Sequence, residues 1–328
     1  MKKIISLFIC FAILCCVMSG CAPTDNTIVI YTCANDDRIA HMTTTLQEKF
    51  PEYEFIIEYQ STSKLTAKLL AEGTNTDCDI IHDLSYLNMD SLNESGLLAD
   101  LSEYDTSIYV DGIVPTTNYL PEIRTGGTVI VNTEVLKNKG LPAPKSYEDL
   151  LKPEYKGLVS MPDPKSSSTG YMFLKGCINA WGEDKAFDYF EKLAENVLQF
   201  TSSGNGPVNA LVQQEVAIGL GIIANAVVQI NEGAPLEILF FEEGAFYSMY
   251  GQSIIKGKES DKKVKEVFDY LINEYTKTSC ETYGPEILFK DIVFEQKNYP
   301  TNIRYADMSG DSLAEKERLL EKWGTWEQ

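Results

Sequence analysis

The stretch LVSMPDPKSSSTGYMFLKGCINAW, residues 158–181, sets the architecture. Leu158, Val159 and Met161 make a short apolar run, read as a strand over 158–161. A Ser/Thr/Gly stretch follows, Ser166-Ser167-Ser168-Thr169-Gly170, and an apolar helix is expected over 169–181. The same unit recurs outward in both directions. Strands are expected over 28–33, 54–59, 79–83, 128–132, 197–200, 216–222, 236–241 and 253–255. Helices are expected over 37–50, 63–72, 185–194, 261–277 and 312–322. Alternating strands and helices call for α/β layers. The helix at 261–277 is the clearest, because Val264, Val267, Phe268, Leu271, Ile272 and Tyr275 follow helical spacing behind Asp261.

Four strand-to-helix junctions carry hydroxyls: Thr32 to Asp37, Ser61-Thr62-Ser63, Ser166 to Gly170, and Thr201 to Gly206. Read singly, each is an ordinary N-cap, since Ser, Thr and Asp are the preferred capping residues. Read together, they offer unpaired backbone N–H groups, hydroxyl donors and the positive ends of helix dipoles, which is an anion-binding chemistry. In open α/β sheets ligands lie beyond the carboxyl ends of the strands, where all four junctions fall.

The whole chain has 328 residues, 44% hydrophobic and 23% charged, with a net charge of −20. Such a surface lacks the cationic footprint of a nucleic-acid-binding protein, so no nucleic-acid partner is expected. Lys2 and Lys3 precede an apolar run over 4–18. It is shorter than the roughly 20 residues a membrane span needs, and it fits a secretory signal over 1–20. Ser19-Gly20-Cys21 resembles a bacterial lipobox, with Met18 in the place of its usual Leu. Cys21 is then lipidated, residues 21–26 form a tether, and the protein sits outside the cytoplasm, held to the membrane by its lipid. Cys33, Cys78, Cys177 and Cys280 remain. Four cysteines in an exported chain allow three disulfide connectivities, and four buried thiols are the equal alternative. No metal-ligand spacing occurs. Gly219-Leu220-Gly221-Ile222-Ile223-Ala224 fits GxGxxA but lies inside an expected strand, which fails the context a nucleotide site requires.

Several blocks resemble bacterial extracellular solute-binding proteins of ABC importers, in the class of ferric-ion, aminoethylphosphonate and sugar-phosphate binders. They are IVIYT (28–32), KLTAKLLAEG (64–73) before DCDII (77–81), VNTEVLKNKGLPAPKSYEDLLKPEYKGLVSMPDPKSSSTGY (131–171), AENVLQFTSSGNGPVNALVQQEVAIGLGI (194–222) and GAPLEILFFEEG (233–244). The resemblance implies a type II periplasmic-binding-protein fold. Two α/β lobes, 27–127 with 240–290 and 128–239 with 291–328, enclose a ligand cleft. Two crossing strands form the hinge, for which 128–132 and 236–241 are the candidates. By position, the anion-contacting segments are Thr32-Cys33, Ser61-Thr62, Ser167-Ser168-Thr169 and Ser202-Ser203. The implied partners are an anionic solute and the transmembrane subunits of a permease; the protein is expected to be a monomer with no cofactor and no resident metal.

The expected solute is a phosphonate or phosphate ester, with 2-aminoethylphosphonate first and a sugar phosphate second. Asp36, Asp37, Asp83 or Glu242 would hold a ligand ammonium. Ferric iron is the alternative. Ferric binders of this class carry adjacent tyrosines just after the strand at 216–222, where this chain has Ala224-Asn225-Ala226. Tyr31, Tyr171, Tyr247 and Tyr250 are its remaining phenols for that role, and Tyr171, Phe246, Tyr247 and Tyr250 are candidates to line the cleft. A secreted hydrolase is the distant alternative, but two isolated histidines give it little to work with. His41 is expected on the first helix. His82 either pairs with Asp83 or contacts ligand at the cleft rim. Trp323 and Trp326 are expected to dock the last helix.

Overall fold

The structure, a computed structural model, describes residues 26–113, 115–283, 286, 288–292 and 296–324; the signal segment, Cys21 and Trp326 lie outside them. In chain order the strands are β1 (Thr27–Thr32), β2 (Glu54–Tyr59), β3 (Ile80–Ser85), β4 (Leu120–Asn132), β5 (Val159–Pro162), β6 (Val197–Thr201), β7 (Ile218–Ile222), β8 (Leu236–Leu239) and β9 (Phe246–Ile254). The α-helices are α1 (Asp36–Lys49), α2 (Thr62–Glu72), α3 (Tyr86–Glu94), α4 (Thr133–Lys139), α5 (Ser168–Trp181), α6 (Glu183–Ala194), α7 (Gly206–Val212), α8 (Ile223–Asn231), α9 (Lys262–Tyr270), α10 (Thr276–Tyr283) and α11 (Leu313–Lys322).

These strands form one sheet in the order β2-β1-β3-β9-β4-β7-β5-β6, with β8 also on β4. One end is parallel, with Ile30 opposite both Ile57 and Ile80. The other end is parallel too, β5 lying between β6 and β7. Antiparallel β4 and β9 run between these two groups. β9 pairs with β3 through Ile254–Tyr250 and with β4 through Gln252–Phe246. The first crossing strand is therefore longer than expected. The second is β9 and not 236–241, because β8 pairs only with the last residues of β4, Val129 to Asn132.

Each parallel group has its own core. Ile28, Ile30, Met42, Leu46, Ile80 and Phe268 pack on one side of the crossing, and Val129, Val159, Phe173, Phe190, Ile218 and Phe246 on the other. Local chemistry agrees with the elements. The side chains of Asn35, Ser167, Asp261 and Ser312 cap α1, α5, α9 and α11 by accepting from backbone N–H groups of the first turn. The helix expected at 261–277 continues through a π turn at Leu271–Tyr275 into α10, and all six residues of its apolar stripe are buried. Trp323 docks α11 against Phe190 and Phe200. Cys33, Cys78, Cys177 and Cys280 are free thiols, the last three buried. Among the described residues no helix is long and apolar enough to cross a membrane.

Candidate functional site

At the carboxyl ends of β1 and β3, several expected ligand residues turn inward. Thr32 is fully buried; its Oγ1 accepts from Ala34 N at 3.1 Å and lies 3.3 Å from His82 Nδ1. His82 Nε2 lies 3.1 Å from Glu122 Oε1, so the partner of this histidine is Glu122 on β4 and not the adjacent Asp83. Burial, with Arg38 second, holds the imidazole well below its ordinary range and therefore neutral. Asp83 adopts a left-handed φ of 55° and faces Arg38, whose Nη1 is 2.9 Å from Oδ2. Arg38 also pairs with Glu122 Oε1, while Asp83 N donates to Glu122 Oε2 at 2.7 Å. Two carboxylates thus share one guanidinium in a buried site. Asp83 is held by Arg38 inside the lobe, and His82 is not at a rim.

Of the remaining junction residues, Ser168 lines a cavity, while Cys33, Ser61, Thr62, Thr169, Ser202 and Ser203 lie outside its lining. Cys33 is half-buried; burial pushes its thiol up to about 12, so it acts as a neutral thiol. Ser61 caps α2 by position, but its exposed hydroxyl makes no capping bond. Ser168 lines this cavity together with Tyr250 of β9, and burial raises the Tyr250 phenol, with the charge of Asp83 acting in the same direction. The phenol thus stands between the end of β3 and the start of α5. Thr169 stands against Gly204: a Cβ on that glycine would collide with Thr169 Oγ1. Ser202 and Ser203 are exposed beside it, and Asn225 at the start of α8 donates to Asn205.

Two acidic candidates stand apart. Asp36 and Asp37 are exposed in the first turn of α1. Glu242 is exposed after β8, and its neighbour Glu243 accepts from Trp181 Nε1 at the far end of α5. A 14-residue helix puts that end about 20 Å from Ser168.

Beside Tyr250 opens a cavity of about 550 Å³ between α3, α5, β9 and residues 307–316. Ser85, Tyr86, Ser168, Tyr171, Tyr247 and Tyr250 line it. Phe246 does not; it is fully buried and stacked on Tyr147. The α3 contribution was missed in the sequence, although Ser85, the last residue of β3 and the N-cap of α3, repeats the junction pattern. Ser85 stands directly opposite Tyr250 in the sheet. Among the described residues no group of three His, Cys, Asp or Glu is placed to hold a metal ion.

The chain belongs to the bacterial extracellular solute-binding protein family, which matches residues 94–286. It is similar to an uncharacterised protein of Haemophilus influenzae, 28% identical over 325 residues, covering 93% of this chain and 92% of that one. A spermidine/putrescine-binding periplasmic protein of Escherichia coli is 25% identical over 244 residues, covering 69% and 67%. A putative 2-aminoethylphosphonate-binding periplasmic protein of Salmonella typhimurium is 23% identical over 220 residues, covering 64% and 62%. Among solved structures, the periplasmic binding protein P5PA superposes with a TM-score of 0.73 at 25% identity, over 92% of this chain and all of that one. AfuA of Actinobacillus pleuropneumoniae, with exogenous fructose-6-phosphate bound, gives 0.71 at 24% identity, over 90% and 97%. The fold is that of a two-lobed type II periplasmic binding protein.

Proposed function

We propose that this protein captures a small organic anion bearing a phosphonate or phosphate group and hands it to the permease of an ABC importer. The observation that carries the reading is the cavity in which Ser168, at the start of α5, Ser85 and Tyr86, at the start of α3, and Tyr250 of β9 come together as neutral donors. Helix-start N–H groups and hydroxyls hold a phosphoryl group without a fixed cation. Asp83, whose charge Tyr250 feels, is matched by Arg38 and so repels the anion less. The names of the phosphonate- and sugar-phosphate-binding relatives agree. In this reading the lobes are 27–127 with 240–290 and 128–239 with 291–328, Cys21 carries the lipid anchor outside the cytoplasm, and the protein acts as a monomer that is not an enzyme.

Calorimetry tests it with 2-aminoethylphosphonate, fructose-6-phosphate, inorganic phosphate and ferric citrate. Binding of at least one phosphoryl compound is expected, weakened by the Ser168→Ala/Thr169→Ala double substitution. Tight ferric binding with no response to any phosphoryl compound would sink it.

A further inference from the structure

The cavity continues past Tyr250 to an end whose chemistry the helix starts do not explain. Lys175 is 5% exposed, and among the described residues its Nζ donates to one partner, the Gly310 carbonyl at 2.9 Å. Lys316 sits with its Nζ 5.1 Å from the centre of the Tyr171 ring. Both line the cavity, and among the described residues neither ammonium has a carboxylate within 4 Å.

The three cavity carboxylates are already engaged by neutral donors. Asp311 accepts from Tyr171 Oη at 2.7 Å and from Ser312 N; Asp307 accepts from Ser309 N; Asp90 accepts from Tyr119 Oη. Asp311 acts on both ammoniums only at longer range, and an ammonium withdrawn from water without a direct ion pair is costly. Burial accordingly draws Lys316 below its ordinary range and lifts Asp311 above its own.

We propose that Lys175 and Lys316 form a second anion subsite, which seats a carboxylate of the solute while its phosphoryl group lies at the helix starts. The inference rests on the phosphoryl reading for the other end of the molecule. Both ends lie on one face of α5. Ser168 and Lys175 are seven residues apart, roughly 10 Å along the axis, and helical side chains lean back toward the N-terminus, which shortens the span. The matching solute is therefore longer than a two-carbon phosphonate, and a 550 Å³ cavity has room for it.

The test compares propylphosphonate with 4-phosphonobutyrate by calorimetry on the full-length protein. The phosphonocarboxylate should bind about tenfold more tightly, because its carboxylate forms a charge-assisted hydrogen bond in a partly dry site. Lys316→Gln should bring the two affinities within about twofold of each other, and Lys316→Arg should keep the preference. Equal affinities in the wild type overturn the subsite and leave the phosphoryl reading standing. If neither phosphonate binds, adipate separates the two ideas. A rise in Tm with adipate that Lys316→Gln abolishes keeps the subsite while the phosphoryl reading falls. No response to any of these acids, or stabilisation by putrescine alone, overturns the subsite.

Discussion

Tyr250 on the crossing strand β9 and Ser168 at the start of α5 line the same cavity and face each other across its mouth closely enough for the serine to bias the phenol's titration. The cavity thus joins the crossing strand to the start of α5, the helix start proposed to face solute. Tyr250→Phe and Ser168→Ala should each lower affinity for the bound anion. A hydrogen bond to a charged group contributes about 1.5–3 kcal/mol, so calorimetry should show losses of roughly tenfold or more. Unchanged affinity in both variants would remove these hydroxyls from the site.

Closure is the second expectation. A solute touching α2 on one side and α5 on the other favours the closed form through contacts that the open form lacks. Small-angle scattering at saturation should give a smaller radius of gyration than the solute-free protein. An unchanged profile under proven saturation, from a solute-free form shown to be open, counts against it.

How much of this was legible varied with the distance between partners. The junctions at Ser61, Ser168 and Thr201 could be read because strand, hydroxyl and helix are contiguous. The crossing strands could not. β4 contains Pro121, Glu122, Arg124 and Gly126, which break an apolar alternation, and its Glu122 is tolerated only because Arg38, 84 residues away, meets it. β9 carries Tyr247, Ser248 and Tyr250 because part of it faces a cavity, so it lacks the signature of a buried strand. Asp83 looked like a free cleft carboxylate for the same reason: its partner lies on another element. The lysine pair at the far end of the cavity comes from α5 and α11, which no local pattern connects.

The buried Arg38–Asp83–Glu122 cluster sets a pH dependence. Burial first, and the neighbouring Asp83 second, raise Glu122 from its ordinary 4.5 to about 8. Burial raises Asp83 in the same direction. The folded state therefore binds a proton that the unfolded chain releases. This contribution to stability is full below about 4.5 and is lost as pH rises through about 8. Glu122→Gln should flatten the decline in stability over that window, by up to about 1.4 kcal/mol per pH unit for one proton. Urea titrations from pH 5 to 8 would measure it (about one pH unit per step suffices), and parallel slopes for wild type and variant would refute the assignment.

The proposed anchor makes a cellular prediction. Cys21→Ser should release the protein into the medium or leave it unprocessed, seen by fractionation and by the mass of the N-terminal peptide. A variant that matures normally and stays on the membrane at wild-type levels would show that Cys21 carries no lipid.

Two glycines at the start of α5 and its facing loop separate packing from binding. A Cβ on Gly170 would lie 2.5 Å from Pro162 O and 2.6 Å from Pro164 N, backbone atoms of the strand and turn that deliver α5 to the cleft. Backbone cannot rotate away as a side chain does, so Gly170→Ala must shift the helix start. The expected loss is about 1–3 kcal/mol of stability, the usual cost of overpacking, with weaker binding as a consequence. A Cβ on Gly204 instead meets Thr169 Oγ1 and, at 2.9 Å, Ile222 Cδ1, both side-chain atoms that can move to other rotamers. Gly204→Ala should therefore cost less in Tm while displacing the Thr169 hydroxyl, which the proposed function places against the solute. Thermal melts and calorimetry on the two variants should give opposite rankings, Gly170→Ala the less stable and Gly204→Ala the greater loss of affinity per degree of Tm. If Gly204→Ala keeps wild-type affinity, the Thr169 hydroxyl does not touch the solute and the anion is held by Ser168, Tyr250 and the helix-start N–H groups without it.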